Sequence, residues 1–310
     1  MGHRRRRRLN RDELHARIAD LSVWTRKGER APHKPLLLLW ALGRCARGEE
    51  RIISYAQVDE AMRPLLAEFG PPRTSYHPEY PFWYLRNDGL WEVEGVAEAR
   101  VREGKADQPT KGELIRVGAT GGLVIDVYDL VRSDPGLLRE IANELVTAHF
   151  PDTVHDDVLA AVGLDDMEVV WRRRRDPTFR AVVLAAYGYR CAVCDFDARL
   201  ENVPLAIEAA HIQWHQAGGP DRVGNGLGLC SLHHKLLDRG AFTLGSEREV
   251  VVSELVNGGK ATQEALIRFH GKPIQLPRSQ DAHPREEFID WHRTEVFRGD
   301  PGRGVATVRE

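Results

Sequence analysis

Between Cys191 and Phe242 the chain reads CAVC, then EAAHIQWH, then GNGLGLCSLHHKLLDRGAF, and two sets of metal-type residues interleave there. The first set is Cys191 and Cys194 with Cys230 and His233. Two residues between ligands let a tight turn aim both side chains at one ion, and three soft thiolates with one imidazole select tetrahedral zinc. A structural Cys3His zinc site is therefore expected. The chain has four cysteines, and the fourth, Cys45, falls inside an apolar helical pattern. That count fits no disulfide framework, and a redox dithiol at Cys191 and Cys194 would need a preceding βαβ pattern that is missing. The second set is His211, Asn225 and His234, three polar residues suited to cutting a phosphodiester. The pairing of the two sets implies a nuclease.

The elements that must position these residues follow from pattern. The run PLAIEAAHI ends in His211, the Gly-rich AGGPDRVGNG follows, and LCSLHHKLLDRG is amphipathic and closed by Gly240 as a helix C-cap. The order is strand, loop, strand, helix, with zinc ligands at its ends. On a helix His233 and His234 differ by about 100° in direction, so one can serve the zinc while the other faces a cleft. Glu208 lies three residues before His211, on the other face of a regular strand, where it orients a neighbour or joins a salt bridge. Asp238, four residues after His234, shares its helix face and either supports it or pairs with Lys235 or Arg239. His215, His3, His15, His77, His149, His155, His270, His283 and His292 show no ligand spacing and are expected as surface or capping residues.

On these residues the chain resembles the HNH nuclease family, and more narrowly its McrA-like branch, through Glu-Ala-Ala-His-Ile, Asn-Gly-Leu and His-x-Leu-x-Asp. The resemblance covers roughly residues 175–244. It implies a ββα-metal fold that hydrolyses DNA with one divalent ion. His211 would be the general base, His234 a ligand of the catalytic metal, and Asn225 a second ligand or the group orienting His211. Those residue types suit phosphodiester hydrolysis, since an imidazole activates water near neutral pH and a cation offsets charge on the phosphorane and leaving oxygens. Magnesium or manganese would serve, with nickel or cobalt as alternatives. Many members carry an acidic residue or a second histidine just before the base, where it ligates the metal; here Ala210 stands there, which leaves the full ligand set open.

At 310 residues, 42% hydrophobic and 29% charged, the chain has the make-up of an ordinary two-domain soluble protein. The longest apolar run, PLLLLWALG, is far short of a membrane span, and the arginine-rich start has no apolar region behind it. Neither secretion nor insertion is expected. The formal net charge of -2 hides two basic runs, Arg4 to Arg8 and Arg172 to Arg175, which beside a nuclease motif read as phosphate contacts. An acidic stretch, PDTVHDDVLAAVGLDDMEVV, marks a boundary. Residues 247–291 are expected to pack onto the nuclease core.

The first half has helical spacing over residues 11–23, 35–47 and 54–69. The segment SYHPEYPFWYLRNDGLWEV is rich in aromatic residues although these make up only 7% of the chain. Alternation there predicts a strand, with Phe82 and Tyr84 on one face and Trp83 on the other, then a hairpin turn at Asn87-Asp88-Gly89. Phe82 and Trp91 are expected in the core, and Tyr80-Pro81 exposed before the strand.

Together, PHKPLLLL and YPFWYLRNDGLW resemble the sulfur-binding domain found fused to HNH modules in type IV restriction endonucleases that attack phosphorothioate-modified DNA. This match covers roughly residues 11–150. It implies a shallow apolar pocket for a non-bridging sulfur, here at Tyr80, Pro81 and the segment ending at Tyr84, with Arg26, His33 and Lys34 beside it. Arg100, Arg102, Lys105 and Lys111 would reach base edges. Sulfur is larger, more polarisable and less hydrated than oxygen, so an apolar wall discriminates by about 1 to 3 kcal/mol.

The expected fold class is α+β: a mixed α/β sulfur-binding-type domain over residues 1–150, a linker over 151–170, and an HNH ββα-metal domain with structural zinc over 171–310. The expected partner is double-stranded DNA carrying phosphorothioates, in the cytoplasm, with no membrane and with a homodimer as an option. Two other readings stay open: an HNH nuclease that reads a methylated base or plain sequence, and a zinc-stabilised DNA-binding regulator with a decayed site.

Overall fold

The segment HKPLLLLWALGRCA is apolar almost all round, and such a helix must be enclosed. In the computed structural model it is α2, His33–Ala46, buried along Leu36, Leu37, Leu38, Leu39, Ala41 and Leu42. The structure describes residues 9–23, 31–100, 108–165 and 177–300. Two compact units divide them, one of residues 9–149 and 155–165, the other of residues 150–154 and 177–300. Among the described residues no helix is long and apolar enough to cross a membrane.

In the first unit α1, Arg11–Ala19, opens on a capping box between Asn10 and Glu13 and stops short of residue 23. After α2 come β1, Ile53–Ser54, and α3, Tyr55–Phe69, which Ser54 caps. Next are α4, Glu79–Tyr84, β2, Trp91–Glu94, α5, Lys111–Arg116, and β3, Thr120–Leu123. The helices α6, Ile125–Ser133, and α7, Pro135–His149, lead to α8, His155–Ala161. The strands form one antiparallel sheet in the order β1-β3-β2, and α2 packs against α3, α4, α6 and α7. The expected connecting stretch 151–170 is largely structured where described, since α8 packs onto α7.

The aromatic stretch differs from expectation. Residues 79–84 form a helix, and the chain runs through a 3-10 turn at Leu85–Asp88 to Gly89, whose φ of 68 ends it in the left-handed region. The cause is burial: Pro81, Phe82, Trp83 and Leu85 are all enclosed, and a strand could not turn consecutive residues to one core. Pro81 in a first helical turn removes no needed N–H donor. Asp88 is no hairpin tip either, because its carboxylate takes Lys34 Nζ at 2.6 Å and the Ser22 amide at 2.9 Å. Only Trp91–Glu94 is strand, and Phe82 and Trp91 are core as expected.

The second unit opens with α9, Pro177–Ala186, and a small hairpin of β4, Arg199–Leu200, and β5, Val203–Pro204. Then follow β6, Ile207–His211, β7, Gly226–Cys230, and α10, Ser231–Asp238, the expected strand, loop, strand, helix. A second hairpin, β8, Phe242–Leu244, with β9, Val250–Val252, precedes α11, Lys260–Ala265, and α12, Glu286–Glu295. Val250, Val252, Leu266, Ile274 and Ile289 share a core with Ile207, Leu227 and Leu229, so residues 247–291 do pack onto the hairpin and helix.

Candidate functional site

The antiparallel register of β6 and β7 pairs His211 with Gly226, Ala209 with Gly228 and Ile207 with Cys230. One face of the hairpin therefore carries His211 and the two glycines, and the other carries Glu208 and Ala210. The glycine face lies against α9: a Cβ on Gly226 would stand 2.4 Å from Val183 and one on Gly228 2.7 Å from Tyr187. The other face receives α10.

Cys230 is the N-cap of α10 and His233 stands in its first turn, positions that come together at a helix start. The Cys191–Cys194 turn is fixed to the hairpin by Ala192, whose amide donates to the Gly228 carbonyl at 2.8 Å. One donor atom from each of Cys191, Cys194, Cys230 and His233 lies within 4.8 Å of every other, the one such cluster among the described residues, and it could hold a metal ion. Thiolates on a tetrahedral zinc at about 2.3 Å stand about 3.8 Å apart. The Cys194 and Cys230 sulfurs are 4.0 Å apart, and His233 Nδ1 is 3.1 Å from Cys230 Sγ. Hydrogen bonds with Cys191 and Cys194 hold Cys230 well below the ordinary thiol range, and those with Cys194 and Cys230 push Cys191 above it. Burial lowers His233, but its bonds with Cys194 and Cys230 outweigh that and raise it to about 9. A buried cluster that keeps thiolate charge is suited to a cation.

At the far end of β6, His211 stacks on Phe179 of α9 with ring centroids 3.9 Å apart, and its Nε2 meets Asp221 Oδ1 at 2.8 Å. A proton donated from Nε2 to Asp221 leaves Nδ1 as the basic nitrogen. His215 is close by, 6.0 Å from His211 between ring centroids. Asn225 is fully buried, and its amide is spent on the backbone: Oδ1 accepts from Gln213 N at 2.8 Å, and Nδ2 donates to Gln213 O at 3.0 Å and Pro220 O at 3.1 Å. The Asn225 amide thus closes the loop that follows His211.

His234 points away from the cysteines, as the helical offset requires. Its Nδ1 meets Glu208 Oε2 at 2.6 Å and its Nε2 meets Asp238 Oδ2 at 3.3 Å, with His234 and Asp238 both buried. Glu208 also accepts from the Ser231 hydroxyl at 2.8 Å, and Thr153 donates to Asp238. Glu208 thus orients a neighbour, and Asp238 supports the same imidazole. The contacts thus set His211 against Phe179 and Asp221, and His234 against Glu208 and Asp238. His292 is not a surface residue: it is fully buried, with Nδ1 2.9 Å from Thr243 Oγ1 and Nε2 donating to the Leu237 carbonyl at 3.1 Å, and it ties α12 to the end of α10. His155 is buried as well.

In the first unit, His33 starts α2 and is lowered to about 4, first by burial and then by His77 and Arg73. Those influences place His33, His77 and the exposed Arg73 together. Tyr80 of α4 is 40% exposed and its ring stacks on that of His77, whereas Pro81 is buried and Tyr84 half-buried. Lys34, expected beside the pocket, has its Nζ 2.6 Å from Asp88 Oδ2, both side chains being largely enclosed. Lys111 likewise meets Asp59 at 2.6 Å. Arg100 is exposed, while Arg26, Arg102 and Lys105 lie outside the described residues, as do both arginine runs. Sequence reasoning missed Asp221, Phe179, Arg73 and the role of His77, which lie in loops or on a helix without ligand spacing.

Residues 11–167 match the family described as ScoMcrA-like, DNA sulfur-binding domain. The chain belongs to that family. Residues 191–245, holding the zinc-type cluster, His211, Asn225 and His234, match the HNH endonuclease family, so this ScoMcrA-like chain carries a sulfur-binding domain followed by an HNH endonuclease domain. Among solved structures, the sulfur binding domain of ScoMcrA complexed with phosphorothioated DNA is 30% identical, covering 50% of this chain and 97% of that one, with a TM-score of 0.44. The sulfur binding domain of SprMcrA complexed with phosphorothioated DNA is 27% identical over 51% of this chain and 97% of that one, with a TM-score of 0.43. The type IV phosphorothioation-dependent restriction endonuclease ScoMcrA is 28% identical over 50% of this chain but only 33% of that one, with a TM-score of 0.42. No curated protein matches the chain.

Proposed function

We propose that this protein is a modification-dependent, type IV DNA endonuclease: the first unit binds phosphorothioate-modified duplex DNA and the second hydrolyses phosphodiesters near the modified site. The observation that carries the reading is the joining, in one chain, of a sulfur-binding family match with a hairpin and helix in which His211 is paired to Asp221. In the first unit the exposed Tyr80 ring offers a weakly polar wall, neutral His33 adds no charge to be desolvated, and Arg73 supplies attraction to phosphate.

In the second unit His211 accepts the proton of the attacking water, Asp221 fixes its tautomer and steadies the imidazolium, and Asn225 holds the loop that sets both. His234, with Glu208 and Asp238 against its ring, would hold a divalent cation, magnesium or manganese with nickel or cobalt as alternatives. When bound, that ion supplies charge stabilisation at the phosphorane oxygens. The carboxylates lie outside the single ligand position at Ala210 and make up for it. The Cys3His cluster would hold structural zinc. Cutting both strands calls for two such centres, so a homodimer acting on cytoplasmic DNA belongs to this reading.

The test is cleavage of two otherwise identical duplexes, one phosphorothioated, by the full chain with each divalent ion. Cutting confined to the sulfur duplex is expected, and His211→Ala should lower its rate at least about 100-fold while DNA binding persists. Equal cutting of both duplexes would remove the sulfur reading. Retained cutting by His211→Ala would remove the base, and binding without any cutting would make the protein a DNA-binding regulator.

A further inference from the structure

Tyr80 is unusual among the aromatic residues of its segment. Its neighbours Phe82 and Trp83 are buried, but Tyr80 is 40% exposed and its ring is nonetheless held. The hold comes from His77, whose imidazole lies parallel to the Tyr80 ring at 4.8 Å between centroids and 13° between planes. His77 is itself fixed at both nitrogens: Nδ1 meets Glu79 Oε1 at 2.8 Å and Nε2 meets Ser75 Oγ at 3.0 Å. The Tyr80 amide also donates to the His77 carbonyl at 3.1 Å, which locks the backbone of the same turn. Glu79, which anchors the imidazole, is only 12% exposed along its side chain, so the anchor is set by the fold.

An exposed aromatic side chain with no packing role would sample several rotamers, and fixing one of them would be charged against binding. A ring stacked on a doubly anchored imidazole has met that cost in the free protein. We infer that His77 is a positioning residue that presets the Tyr80 ring, with Ser75 and Glu79 as its anchors, for contact with a soft, weakly hydrated ligand atom. This inference rests on the proposed sulfur reading, in which that atom is the non-bridging sulfur of a phosphorothioate. In this inference the imidazole acts through the Tyr80 ring, so its contribution is to the preference for sulfur and not to general attraction to phosphate.

The experiment uses the full chain, His77→Ala and His77→Phe, in equilibrium binding to paired duplexes with and without phosphorothioate at fixed salt. His77→Ala should weaken binding to the sulfur duplex about 3- to 10-fold, leave the plain duplex unchanged, and so lower the preference by the same factor. His77→Phe, which keeps a ring to stack on but neither anchor, should recover only part of it. An unchanged preference in His77→Ala, or equal weakening for both duplexes, would overturn the inference. A second readout does not depend on sulfur: with 3-fluorotyrosine incorporated and the Tyr80 resonance assigned by Tyr80→Phe, the fluorine signal should move and narrow in His77→Ala and lie between that position and the wild-type one in His77→Phe. A Tyr80 signal indifferent to His77→Ala would show that the ring is not preset. Absence of sulfur preference in the wild type, with the Tyr80 signal shifting as expected, would overturn the sulfur reading and leave the preset ring standing.

Discussion

Lys34 and His33 are neighbours at the start of α2, and burial has sorted them differently. The Lys34 ammonium meets Asp88 at 2.6 Å in the same enclosed spot, and a buried cation without such a partner would be costly. The imidazole has the cheaper route of losing its proton, and burial lowers it to about 4, with His77 and Arg73 adding to the shift. Unfolded, a histidine takes up its proton near pH 6.5, so between that value and about 4 the unfolded chain binds more protons than the native one. The contribution of neutral His33 is therefore complete above pH 6.5 and is lost as the pH falls toward 4, at up to about 1.4 kcal/mol per pH unit. Thermal unfolding followed at pH 7 and pH 5 should show a larger drop in wild type than in His33→Gln, where the titrating ring is gone. Equal drops in the two proteins would mean that His33 titrates normally in the fold.

At the scale of elements, the hairpin β6-β7 succeeds because its glycines let α9 come close. A Cβ on Gly226 would come within 2.4 Å of Val183, which is fully buried in the core of the unit and has little room to yield. Gly226→Ala should therefore cost about 1 to 3 kcal/mol of stability, read as a lower denaturant midpoint, and should disturb His211, its partner across the hairpin. A midpoint equal to wild type would show that α9 can retreat freely. This hairpin was legible in the sequence because a two-residue ligand spacing, an apolar run and a helix C-cap each have a local signature. Asp221 was not, since it reaches His211 from within an irregular loop where no periodicity marks it. The segment 79–88 misled because its alternation of large residues mimics a strand, while burial on several consecutive positions selects a helix. His292 escaped for a third reason: its partners, Thr243 and Leu237, are far off in sequence, and only the packing of α12 brings them together.

For the whole molecule, the two units rest on different foundations. The first is organised around the leucines of α2, and among its described residues no cluster of metal-type side chains occurs. The second has Cys191 and Cys230 within its apolar core, beside Ile207, Leu227 and Phe242, so the proposed zinc ligands and the core side chains are the same assembly. Structural zinc sites contribute about 10 to 16 kcal/mol of binding free energy, whereas a domain of this kind has about 5 to 15 kcal/mol of net stability in all. Removal of zinc is then enough to unfold the second unit, and the first has its own core to retain. Treatment of the full chain with a strong chelator should split the thermal transition, with one part melting well below the untreated protein and the other unmoved. Binding to phosphorothioate duplex should survive the treatment. Cleavage should be lost, should stay lost when magnesium or manganese alone is returned, and should recover only when zinc is supplied as well. A chelated protein that melts as one unchanged transition and cuts on addition of magnesium alone would show that the Cys3His cluster holds the unit together without an ion, by packing of its cysteines in the core.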